Sequence, residues 1–128
     1  MNYYFDRIVD MQFEDAIQRV TEGLKKSGFG VLTEIDVQQT LKQKIGVDIL
    51  PYRILGACNP HFAYKALQVE NRIGTMLPCN VIVREIDDGQ IEVAAVDPVA
   101  SMQAVENEKL GEISMDVRTA LRSVIDEL

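Results

Sequence analysis

The chain reads as an α+β two-layer sandwich, and three observations across its 128 residues carry that reading. Runs rich in strand formers alternate with amphipathic stretches in the order β-α-β-α-β-α-β-β-α. One Asp-Asp-Gly hairpin joins two strands directly, and a long helical stripe closes the chain. No composition shift, linker or long-period repeat interrupts the pattern, so a single domain over residues 1–128 is expected.

Tyr3 to Val9 alternates Tyr3, Phe5 and Arg7 against Tyr4, Asp6 and Ile8, the pattern of a strand. Phe13, Ala16, Ile17, Val20 and Leu24 then fall at helical spacing. Glu14 and Asp15 suit that helix's positive end, Lys25 and Lys26 its negative end, and Gly28 a left-handed stop. Phe29 to Ile35 predicts a second strand. Asp36 with Gln39 predicts a capping box for a short helix carrying Val37, Leu41 and Ile45, ended by Gly46.

Tyr52 to Cys58 predicts a third strand that runs straight into Asn59-Pro60, a cap followed by a proline at the first helical position. Phe62, Ala63, Ala66 and Leu67 give that helix an apolar face, and it is expected to end near Asn71 to Gly74. Pro78 to Ile86 and Ile91 to Val96 are the hairpin strands around Asp87-Asp88-Gly89. Asp97-Pro98 repeats the cap-and-proline start on a short turn, and residues 103–109 read as a polar loop. Leu110, Ile113, Val117, Leu121, Val124 and Leu128 alternate threes and fours along the last helix.

Composition excludes several functions. Hydrophobic residues at 47% and charged residues at 26% are ordinary for a folded domain, which argues against disorder. Lys and Arg number 13 against 20 acids, for a net charge of −7. A nucleic-acid binder needs a basic stripe to displace counterions, and no basic cluster here exceeds Lys25-Lys26, so no nucleic-acid partner is expected. An anionic membrane surface would repel the chain for the same reason. Residues Met1 to Asp6 lack the pattern of an export signal, and no stretch approaches the ~20 apolar residues of a membrane span. Two cysteines then fit a reducing cytoplasm, where they would normally be free thiols, although two also suffice for one disulfide.

Those cysteines sit in two similar pairs, Cys58-Asn59 and Cys79-Asn80. Cys58 precedes a helix cap, where free backbone N–H groups and the helix dipole favour a thiolate. His61, the sole histidine, completes a Cys58-x-x-His61 fragment that could bind zinc with Cys79, and Glu34 is a candidate fourth ligand. The bland readings compete. Cysteine commonly fills cores, His61 suits an exposed first turn, and Asn59 suffices as a cap. Asn80 is harder to dismiss, because asparagine is disfavoured in strands yet opens a β-branched run. Glu34 and Asp36, two apart at a strand end, are expected to point the same way. No nucleophile elbow, P-loop or dinucleotide fingerprint occurs.

Four blocks together resemble one family: Gly28 to Val37, Leu55 to Pro60, Leu77 to Val81 and Val96 to Pro98. They are similar to the domain-of-unknown-function 302 family over nearly the whole chain. The resemblance implies a mainly antiparallel five-stranded sheet, grouped with TATA-binding-protein-like folds, in a small prokaryotic cytoplasmic homodimer with no established activity. An antiparallel sheet would bring Cys58 and Cys79 to the same sheet end, whereas a parallel crossover would separate them.

Three functions follow as expectations. The first is a homodimeric module binding a small ligand or metal near Cys58, Asn59, His61, Cys79, Asn80 and Glu34. The second is thiol redox chemistry using Cys58 and Cys79. The third is a dimeric interaction protein whose cysteines merely pack.

Overall fold

A computed structural model describes residues 2–128; Met1, the first residue of the stretch read for an export signal, lies outside them. The strands are β1 (Tyr4–Val9), β2 (Gly30–Asp36), β3 (Tyr52–Cys58), β4 (Cys79–Glu85) and β5 (Ile91–Val96). The helices are α1 (Phe13–Lys26), α2 (Val37–Ile45), α3 (Pro60–Val69), α4 (Pro98–Ser101) and α5 (Glu108–Asp126), with a 3-10 segment at Asn71–Met76 after α3. All five strands join one sheet in the order β1-β5-β4-β3-β2, each neighbour antiparallel. The fold class and element order expected from the sequence are those observed.

The helix boundaries follow the capping chemistry. Asp36 accepts from the Gln39 N–H at 2.9 Å, Asn59 from the His61 and Phe62 N–H groups, and Asn107 from that of Leu110. Gly28 takes φ +85° just after α1, and the Phe29 N–H closes the turn on the Leu24 carbonyl at 2.8 Å. α3 stops at Val69, earlier than expected, because the chain tightens into the 3-10 turn, whose cap Glu70 accepts from the Arg72 N–H. The polar stretch is shorter than residues 103–109 too, since α5 already begins at Glu108.

Period-2 alternation divides the sheet into two unlike faces. Leu55, Val81, Val83, Ile91, Val93 and Ala95 point to the covered face, where α1 contributes Ala16, Ile17, Val20 and Leu24 and α5 contributes Val117, Leu121 and Val124. A second, smaller cluster joins Ala66, Ile73, Met102 and Leu110 beside it. The opposite face has no such cover. The cross-strand register places Ile35, Ile54, Ile82, Ala94 and Asp6 side by side in one row, and Tyr52, Arg84, Glu92 and Ile8 in the next. α2, despite its Val37-Leu41-Ile45 stripe, buries no residue fully.

Both edge strands are managed. A register shift between Val31 and Thr33 marks a bulge in β2, with Leu32 exposed there. β1 is held by the Arg7 guanidinium, which donates to the Asp126 carbonyl at the end of α5 at 2.6 Å. Gly56 is required by space: a Cβ there would meet Thr33 Oγ1 and lie 2.7 Å from Pro78 Cγ. Gly56→Ala is therefore expected to destabilise the fold by about 1–3 kcal/mol. The cost should shrink in a Thr33→Ala background, read from urea denaturation midpoints of the single and double variants.

Candidate functional site

The antiparallel pairing of β3 and β4 sets Ala57 opposite Cys79, which puts both thiols at one end of the sheet. Cys79 is buried and Cys58 half-buried, and neither is in a disulfide. Cys58, Asn59 and Cys79 line a crevice with Phe29, Phe62 and Met102, at the seam between the two core clusters. Its volume is about 30 Å³, room for roughly one water-sized group. It is too small for an organic ligand.

The thiols do not have the activated character that a helix terminus alone would confer. Burial pushes the Cys58 pKa up. For Cys79, burial first and then repulsion from Cys58 raise the pKa to about 11. The His61 and Phe62 N–H groups at the helix start donate to Asn59 rather than to a thiol.

The other sequence candidates lie elsewhere. His61 is exposed on the first turn of α3. Among the described residues, no three of His, Cys, Asp and Glu gather closely enough to hold a metal ion, so the Cys58, His61 and Cys79 zinc set is not assembled. Glu34 sits opposite Leu55, four strand positions along β2 from Gly30, the partner of Cys58. It accepts instead from Arg53 at 3.1 Å, in a cluster that includes Glu14 and Asp36. Glu34 and Asp36 do point the same way, and what they meet is an arginine. Asn80, one position beyond Cys79, turns to the uncovered face. The sheet therefore divides Asn80 from Cys58, Asn59 and Cys79.

On that uncovered face the structure assembles what the sequence did not single out. Tyr3, Tyr4, Tyr52, Asn80, Ile82, Arg84, Glu92 and Ala94 line a hollow of about 520 Å³. That volume lies within the range of small-molecule sites. Arg84 and Glu92 face each other across β4 and β5 and pair at 2.6 Å, so the charges in its floor cancel. The available signal was alternation: Tyr52 and Ile54, Ile82 and Arg84, and Glu92 and Ala94 each occupy the out-of-core positions of their strands.

The family model described as domain of unknown function DUF302 matches residues 5–128. The chain belongs to the DUF302 family. A solved structure from Bacillus stearothermophilus, described as an uncharacterised conserved DUF302 protein, is 30% identical. It superposes with a TM-score of 0.89, over 97% of this chain and 96% of that one. No curated protein matches the chain. No helix among the described residues is long and apolar enough to cross a membrane.

The raised Cys79 pKa sets both reactivity and alkaline stability. With the thiolate fraction at pH 8 reduced about a hundredfold relative to a thiol of pKa 9, native Cys79 should be alkylated correspondingly slowly by iodoacetamide, and rapidly in urea. The native state holds the Cys79 proton more tightly than the unfolded chain does. This contribution to stability is complete below pH 9 and lost as pH rises through about 11. Cys79→Ala should flatten that alkaline loss in denaturation curves measured between pH 8 and pH 11.

Proposed function

We propose that this DUF302 protein is a small-ligand-binding module whose ligand occupies the hollow on the uncovered sheet face. The observation that carries the reading is a largely apolar sheet face that neither α1 nor α5 covers. An antiparallel sheet with one solvated face ordinarily alternates apolar-in with polar-out. Here one outward row runs Ile35, Ile54, Ile82 and Ala94 before it reaches Asp6, beside three tyrosines and the paired Arg84 and Glu92. Concavity of about 520 Å³, aromatic walls and a few fixed polar groups favour a largely apolar, planar molecule anchored by hydrogen bonds to Asn80 and the tyrosine hydroxyls. The sequence-derived site contributes Asn80 to this reading. The 30 Å³ crevice at Cys58, Asn59 and Cys79 is left as packing with a water-sized gap.

The neutralised Arg84 leaves no basic stripe on this face, which supports a ligand other than nucleic acid. Two free thiols in an acidic chain support a reducing compartment such as the cytoplasm.

Homodimerisation through the same face is the second reading. It is favoured because the isoleucine row runs past the hollow to Ile35, and because, among the described residues, Asp6 is the one charge of these outward rows left unpaired after Arg84 and Glu92 pair, on a chain of charge −7. Five strands spaced ~4.8 Å apart, with about six residues of ~3.4 Å each, offer on the order of 500 Å² per copy. A stable interface takes ~800 Å² per partner, so a dimer built on the sheet face alone would be weak. Magnitude thus ranks the ligand first.

Titration with indole as a neutral planar probe, followed by amide NMR, tests the proposal. Saturable shifts should centre on Asn80, Ile82 and Ala94, and Ile82→Glu should weaken binding at least about tenfold. Shifts scattered over the helices, or unchanged affinity in Ile82→Glu, would sink the ligand reading. Native mass spectrometry of the same samples reads the dimer separately.

A further inference from the structure

A second cavity, on the other side of β1, has the opposite character. It is a groove of about 510 Å³ between β1, α4 and α5. Arg118 and Arg122 stand four residues apart on α5, one turn of the same helix face. Both guanidinium groups lie over the Phe5 ring, 5.5 and 5.3 Å from its centroid. A ring face attracts cations at this range, so one aromatic side chain on β1 holds two arginines in place.

The two cations are not equally engaged. Arg118 donates from Nε to Asp97 Oδ2 at 3.2 Å, leaving its two terminal nitrogens as donors. Asp97 is itself fixed, buried to 7% exposure and accepting from the Val99 N–H at the start of α4. Arg122 is exposed and pairs with no carboxylate among the described residues. The groove is thus lined by two positive groups and one negative, a net charge of about +1 on a chain carrying −7. Asn2 and the Tyr4 side add polar groups, and Val99 and Ala100 an apolar wall.

We infer that this groove binds an oxyanion, the carboxylate or phosphate group of a small molecule, between Arg118 and Arg122. The planar guanidinium fork suits two-point hydrogen bonding to such groups, and the Phe5 ring removes part of the orientational cost by holding both forks beforehand. The Asp97 pair fixes Arg118 through Nε and turns its free edge toward the space that the anion takes. The inference is independent of the sheet hollow, whose charges cancel.

Arginine Nε–H NMR resonances report the site directly, with inorganic phosphate, methyl phosphate and acetate as probes at constant ionic strength. At least one should shift Arg118 and Arg122 saturably, with affinity falling as salt rises. Arg122→Gln, at an exposed position and with folding checked by its amide spectrum, should weaken binding about tenfold or more. Arg118→Lys should also weaken it, since the charge stays while the fork is lost. Arg19→Gln, outside the groove, should leave it unchanged. Tighter binding of methyl phosphate than of inorganic phosphate would identify an organic ester as the ligand class, and the reverse the free ion. Linear, non-saturating shifts for all three probes, or equal affinity in Arg122→Gln, would overturn the inference.

Discussion

One sheet whose two long helices, α1 and α5, pack on the same face is the constraint on which the rest of the molecule depends. Every strand delivers alternate residues to opposite sides, so a single choice of register decides what is core and what is surface. On the covered side Leu55, Val81, Val83 and Val93 are wholly buried, and burial of such side chains is worth roughly 1.5–3 kcal/mol each. On the other side, isoleucines and tyrosines stand in equivalent rows without a second layer. The same residue chemistry therefore stabilises the fold on one face and is left available on the other.

The two ends of the sheet carry different physics. At the thiol end, burial dominates: Cys79 lies among Phe29, Ala57 and Val117, and its thiol stays protonated. At the other end, Arg53 gathers Glu14, Glu34 and Asp36 and lies 5.3 Å from the Phe13 ring centroid. That cluster ties the first turn of α1 to β2 and β3. Its carboxylates are substantially exposed, so solvent screens each pair to well under about 1 kcal/mol. Arg53 Nε, buried without a partner, subtracts from the gain. The cluster sets where α1 begins more than it adds stability, which comes from the apolar seam between α1, α5 and the sheet.

Local chemistry in the sequence was enough to read the elements, and non-local pairing was what it lacked. Asp36, Asn59-Pro60 and Asp97-Pro98 mark helix starts because capping is satisfied within four residues. Asp87-Asp88-Gly89 marks the hairpin because two successive residues must take positive φ, at 70° and 75°. The likeness of Cys58-Asn59 to Cys79-Asn80 does not extend to Asn80, for a reason equally physical. Asn59 has left the strand to cap α3, whereas Asn80 remains in β4 and alternation sends it away from Cys79. A repeated dipeptide has no common geometry when one copy spans a strand end and the other does not. Arg118 and Arg122 were visible as a four-residue spacing. Only the docking of β1 against α5 puts Phe5 beneath them, and that contact joins residues more than a hundred positions apart.

The edge strand β1 connects the two cavities. Tyr4, on one side of the strand, lines the sheet hollow and borders the groove, while Phe5, on the other side, carries both arginines. β1 itself is paired along only one edge, to β5. Besides the packing of Val9 and Phe5 on the core, it is anchored by Arg7 on the α5 carbonyl terminus and by the Asp97 N–H donating to the Tyr3 carbonyl at 2.7 Å. Asp97 thus caps α4, orients Arg118 and closes the β1–β5 ladder at once. A displacement of β1 shifts the wall of one cavity and the aromatic floor of the other together. The groove and the hollow thus share one strand, and Asp97 touches both sides of that arrangement through its N–H on Tyr3 and its carboxylate on Arg118.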